Sequence, residues 1–177
     1  MQVSIPPEAP ISVSAEQELL KTVAAANERG YKIRVAVIPF TNDLGTADSL
    51  WRHPQSYSKF LGSELTFVYR NRLLIAMPSG FGFSRGRKPT AREQRVLVRV
   101  PVGKTPTALT RSTTKAVRRL AAADGVTLPT FSSGGTAWLD RAIIAATGLL
   151  VLLIVLVPAR RLRRGRDDSL RDPDAAQ

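Results

Sequence analysis

The chain has no cysteine, which excludes disulfides and thiolate metal sites outright. It has one histidine, His53, placed before a proline where a helix is expected to begin. A catalytic imidazole needs a nucleophile or carboxylate set beside it, and no pattern in the sequence supplies one. His53 therefore reads as a helix-start or surface residue. Aromatics make up only 6% of the residues. Acids are missing from a whole stretch: between Arg70 and Arg119 stand thirteen Lys or Arg against a single acid, Glu93. That field attracts anions such as lipid headgroups, phosphate-bearing polymers or an acidic protein. Nucleic acid is not the expected partner, because only Phe81 and Phe83 lie near the basic stretch and no stacking pattern accompanies it. A nucleotide loop is lacking as well. Gly103-Lys104-Thr105 has Val98 where the first glycine of a phosphate cradle belongs, and Gly80, Gly82 and Gly86 do not have dinucleotide spacing.

What is present is one long uncharged run. The eighteen residues Ala142 to Ala159 contain no charge, and Gly148 to Val157 is almost entirely Leu, Val and Ile. As a helix this run is about 27 Å long, close to the ~30 Å hydrocarbon thickness of a bilayer. Apart from Thr147 it offers no polar face, so it reads as a membrane span. Arg160, Arg161, Arg163, Arg164 and Arg166 follow at once, and basic residues beside a span stay on the cytoplasmic side. Trp138 suits the interfacial zone on the other flank. The expected topology is an N-terminal domain outside the cytoplasm and a short basic tail inside. Met1 to Pro10 shows neither a basic n-region nor an apolar h-region. The outside orientation therefore implies a further upstream segment, the alternative being a cytoplasmic domain.

Before the span the chain is long enough for one domain. Residues 1–13 carry three prolines and read as an extended lead-in. Ser14 and Gln17 match a capping box, Leu19, Leu20, Val23, Ala24 and Asn27 recur at helical spacing, and Gly30 stops the helix. Tyr31 to Phe40 alternates like a half-buried strand, and Thr41 to Ser49 reads as a polar loop. A helix with Pro54 in its first turn carries Tyr57, Phe60 and Leu61 on one side and ends at Gly62. Leu65 to Tyr69 and Leu73 to Met77 are apolar runs that a hairpin through Arg70-Asn71-Arg72 joins, and a glycine turn follows. Residues 84–94 read as loop, and Val96 to Val102 as a strand or an irregular tether. Thr105-Pro106-Thr107 opens a helix with Leu109, Thr113, Ala116, Val117, Leu120 and Ala121 on its apolar stripe and Lys115, Arg118 and Arg119 facing away. The organisation that results is a lead-in over 1–13, an α/β domain over 14–127, a flexible linker over 128–136, a transmembrane helix over 137–159 and a basic cytoplasmic tail over 160–177.

The segments Ala25-Ala26-Asn27-Glu28-Arg29-Gly30-Tyr31-Lys32-Ile33-Arg34-Val35-Ala36-Val37 and Asn71-Arg72-Leu73-Leu74-Ile75-Ala76-Met77-Pro78-Ser79-Gly80-Phe81-Gly82 carry a resemblance. The first is a helix, a glycine and a central strand, and the second an apolar strand running into a glycine turn. Over about residues 14 to 125 the chain resembles the TPM-domain family. The resemblance implies an α/β domain with a central mixed sheet flanked by helices. It also implies a membrane-tethered module that assists the assembly, maintenance or modulation of other membrane proteins. Members of that family commonly carry an acidic pair in the loop after the first strand, where this chain has only Asp43 and Asp48, five apart.

Two functions follow as expectations. The first is a non-enzymatic interaction module, held at the lipid bilayer and docking a basic face made of Arg70, Arg72, Arg85, Arg87, Lys88, Lys115, Arg118 and Arg119. Its partners would be acidic membrane proteins or anionic envelope polymers, with no cofactor required. The alternative is a weak phosphatase-like hydrolase in which Asp43 and Asp48 hold a metal and Arg70 or Arg72 steers the substrate. Oxygen ligands there suit a hard cation such as calcium, with Glu64 as a third candidate carboxylate.

Overall fold

The computed structural model describes residues 2–86 and 88–131, within a unit spanning Met1–Ser133. Four strands form one sheet in the order β1-β2-β3-β4: β1 is Val3–Ser4, β2 Ile33–Val37, β3 Arg72–Met77 and β4 Gly80–Arg85. The first three are parallel, and β4 runs antiparallel to β3. Four helices accompany them: α1 Val13–Glu28, α2 Pro54–Glu64, α3 Ala91–Val98 and α4 Pro106–Ala123. The expected α/β class with a mixed sheet and flanking helices is what the chain forms.

Alternation along the strands divides the core. Ile33, Val35 and Val37 of β2, Leu74 and Ala76 of β3, and Phe81 and Phe83 of β4 point to one face, where Leu19, Val23 and Ala26 of α1 and Leu109, Ala116, Val117 and Leu120 of α4 cover them. Leu73, Ile75 and Met77 point to the other face and meet Leu44, with Trp51, Tyr57, Leu61 and Leu65 packed around them. On that side β4 presents Gly80, Gly82 and Ser84 instead of phenylalanine. A Cβ on Gly82 would lie 1.8 Å from the Pro54 carbonyl oxygen, so the missing side chain is what lets α2 close on β4. Since β1, β2 and β3 are parallel in sheet order while α1 and α2 cover opposite faces, their two crossovers have opposite hands. One of them departs from the usual right-handed rule.

Several local expectations need correction. The lead-in is partly ordered: Val3 is buried and β1 pairs with Val35 and Ala36. Helix α1 starts earlier than Ser14, because Ser12 is its N-cap and accepts from the Ala15 N–H. Its end is as expected, with Gly30 at φ 84°. The loop after β2 winds into 3-10 turns over Thr41–Leu50. Gly62 lies inside α2, and α2 runs on into a 3-10 turn, Leu65–Phe67.

The expected hairpin through Arg70-Asn71-Arg72 does not form. β3 pairs in parallel with β2, which requires a crossover, and α2 with its 3-10 extension supplies it. The hairpin lies one element later, where Met77 pairs with Gly80 across Pro78 and Ser79. Strand β4 takes up Ser84 and Arg85 from the expected loop, and Ala91–Val98 is helical, so Val96 to Val98 close α3 and are not strand. Among the described residues no helix is long and apolar enough to cross a membrane. The expected span over 137–159, the tail over 160–177 and the linker from 132 onward lie outside the described residues.

Candidate functional site

The site grows from one end of the sheet, where β2 and β3 begin and β4 finishes: Ile33, Arg72 and Arg85 are register neighbours there. Two arginines at this end are held by aromatic rings. The Arg72 guanidinium lies 4.2 Å from the centre of the Tyr31 ring and pairs with Asp124 just past α4. The Arg34 guanidinium lies 4.2 Å over Tyr69, whose hydroxyl donates to the Arg72 carbonyl at 3.2 Å. Burial pushes the hydroxyl pKa of Tyr31 far up, only partly countered by Arg72. Tyr69 is raised by burial too, with Arg34 and then Arg72 opposing. Neutral phenols therefore serve as the platforms on which two cations rest.

The chain enters and leaves the domain's core at this same end. Asn27, buried near the end of α1, donates to the carbonyls of Val23 and Ile33 at 2.8 and 2.9 Å and accepts from the Ile33 N–H at 3.2 Å, fastening helix to strand. At the end of α4 Arg92 donates to the Ala123 carbonyl, and beyond it Arg29 donates to the Thr127 carbonyl.

Beside these engaged groups opens a cleft of about 490 Å³ lined by Thr66, Phe67, Arg70, Arg85, Gly86 and Lys88. Among the described residues the one bond of the Arg70 guanidinium is its Nε donating to the Thr66 carbonyl at 3.0 Å, and Arg85 stands 3.9 Å from Glu93. Among the described residues neither Arg70 nor Lys88 has a carboxylate partner. Phe67 and Val68 stand out of the same end, 93% and 77% exposed. Large side chains left so bare beside cations are the anomaly of this surface, because nothing in the domain's own core uses them.

The eight basic candidates are thus not one face. Arg70, Arg85 and Lys88 gather at the cleft, while Arg72 is committed to Tyr31 and Asp124. On α4, Lys115 is exposed, Arg118 is half-buried and bonded to Glu18 at 3.2 Å, and Arg119 donates to the Arg99 carbonyl at 2.6 Å. Arg118 therefore does not face away from the packed side as expected: it clamps α4 to α1. Arg87 lies outside the described residues.

Asp43 and Asp48 belong to the opposite end of the sheet, in the 3-10 turns that follow β2. The Asp43 carboxylate accepts the Phe40 N–H at 3.0 Å as a local cap, and Asp48 is exposed. Glu64 closes α2 at the Arg70 end, a strand length of roughly 17 Å away. The carboxylates do not converge, and no group of three metal-ligating side chains forms among the described residues. The two arginines expected to steer a substrate are at the wrong end to do so. Comparison with protein-family models, with curated proteins and with solved structures returns no match.

The exposed Phe67 and Val68 are what the sequence reading missed. Leu65 to Tyr69 carries the composition of a strand, and only its helical continuation turns those two side chains outward. No local signal could have shown this, because it follows from the parallel pairing of β2 and β3, which needs a crossover between them.

Proposed function

We propose that the protein is a single-pass membrane protein whose N-terminal α/β domain is a non-enzymatic interaction module, docking through its cationic end onto an anionic partner. The observation that carries this reading is that Arg70 and Lys88, without carboxylate partners among the described residues, line one cleft edged by the bare Phe67. The uncharged run Ala142 to Ala159 and the arginines after it support the anchor, with the domain outside and the tail in the cytoplasm. The resemblance to TPM-domain proteins supports an accessory role toward other membrane proteins. No observation favours the hydrolase alternative, given the separation of Asp43 and Asp48 from Arg70 and Arg72.

Attraction between such a surface and an anion speeds encounter and weakens with salt. The test uses the full chain in detergent on a polyglutamate resin. Wild type is retained at low salt and released as salt rises, and Arg70→Glu with Lys88→Glu is released at lower salt than Arg160→Glu with Arg161→Glu, which carries the same net charge. Equal retention of the two variants removes the cationic end as the contact. Protease added to intact and to permeabilised cells checks the topology: the domain is cut in intact cells if it lies outside.

A further inference from the structure

The cationic cleft lies at the end from which the chain sets out toward its apolar run. Asp124, the residue after α4, pairs with Arg72 at the start of β3, and Thr127 bonds to Arg29 at the end of α1. Thr127 stands four residues before the last described residue, Phe131. Between Phe131 and Ala142 lie residues 132–141, ten in all. Ten residues reach at most about 35 Å, which bounds how far the domain can stray from a span beginning at Ala142. The opposite end, with the Pro78–Ser79 turn and the Thr41–Leu50 segment, is a sheet length away from this one.

We infer that this end of the domain rests on the anionic headgroups of its own bilayer, with Phe67 and Val68 entering the interface and Arg70 and Lys88 pairing with lipid phosphates. The inference rests on the membrane-anchored reading above and names the anion that the cleft meets first. Chemistry favours lipid over an acidic protein: a protein contact would leave the bare Phe67 to be matched by a dedicated pocket, whereas a headgroup region accepts an aromatic ring and cations side by side. Of the other charged groups at this end, Lys32 is exposed and Asp124 is neutralised by Arg72, while the exposed Glu28 and Glu64 oppose the attraction.

Because the chain has no cysteine, Phe67→Cys and Ser79→Cys each give one labelling site, the first at the cleft and the second exposed at the far turn. Full-length proteins carrying a polarity-sensitive fluorophore are reconstituted into phosphatidylcholine vesicles with and without phosphatidylglycerol. At position 67 the emission moves to the blue and is quenched by nitroxide lipids in the anionic vesicles, while position 79 stays aqueous in both. Each cation near an anionic surface is worth roughly fivefold in partitioning, so Arg70→Gln with Lys88→Gln weakens the docking equilibrium about 25-fold. Position 67 remaining aqueous in anionic vesicles overturns the inference, as does equal behaviour at the two positions. If the label stays aqueous while the reconstituted protein still binds polyglutamate through Arg70 and Lys88, the lipid contact fails and the interaction module stands. If the chain does not float with vesicles at all, the anchored reading itself falls.

Discussion

One face of the sheet is covered by the two long helices α1 and α4, the other by the shorter α2 and two 3-10 stretches. The first face is filled by Ile33, Val35, Leu74, Phe83, Leu19 and Leu109, each almost wholly removed from water. On the second, β4 contributes Gly82 and Ser84 where the first has phenylalanines, and the covering helix leaves Phe60 and Phe67 in solvent. Exposed apolar groups occur on both sides, with Val13 and Leu20 bare on α1, but the barest aromatic, Phe67, belongs to the thin face. The thick face holds the domain, and the thin face ends in the surface that carries the proposed contact. This division is natural where a function needs apolar side chains left outside, because they must come from a face whose core can do without them.

The comparison is broken most severely on the thick face. Phe83→Ala opens a cavity in the larger core cluster, and a loss of about 3–5 kcal/mol is expected in denaturant unfolding. A loss no larger than that of an exposed substitution would mean the thick core is not the stabilising one. Asn27→Ala removes the partner of the buried Ile33 N–H and a donor to the Ile33 and Val23 carbonyls, with an expected cost of about 2–3 kcal/mol by the same measurement. Near-neutral behaviour there would deny the tie between α1 and β2.

On the thin face Gly82→Ala drives a methyl into the Pro54 carbonyl and pushes α2 outward, costing roughly 1–3 kcal/mol. The spectroscopic sign is altered near-ultraviolet dichroism from Tyr57 and Trp51, which pack on that face. An unchanged spectrum would show that α2 does not need the close approach.

Alkaline titration separates the faces through Tyr31. Its folded pKa is raised by burial above the unfolded value of about 10, so its contribution to stability is complete below pH ~10 and is lost as pH climbs beyond. Tyr31→Phe should flatten that alkaline limb, and a limb just as steep assigns it to Tyr57 and Tyr69, which are raised by burial as well. The smallest effect on stability is Phe67→Ser, expected within about 0.5 kcal/mol because the ring packs on nothing, while lipid association falls. A large stability change would place Phe67 in the fold instead of at the contact.

Helices α1 and α4 and strand β2 were legible from periodicity, since each buries one face against a large core and the apolar residues recur at its own spacing. Strand β1 was not, because two paired residues leave no period to read. The misplaced hairpin has a different cause. Leu65 to Tyr69 has strand composition, and local propensity yields to the crossover that parallel pairing demands. As for the site, the sequence marked Arg70, Arg85 and Lys88 as basic but could not sort them from Arg72 and Arg118, which differ only in having a ring or a carboxylate brought to them from residues far along the chain.

Composition and periodicity alone determined the α/β class, the cationic character of the second half and the uncharged run near the C-terminus, because each is a property of residues close in sequence. Only the tertiary structure decided which cations remain available and that Phe67 faces outward beside them. It also set the two aspartates a sheet length away from the arginines. Those are matters of which distant segments meet, and long-range contact is set by topology, which no local pattern in this chain encodes.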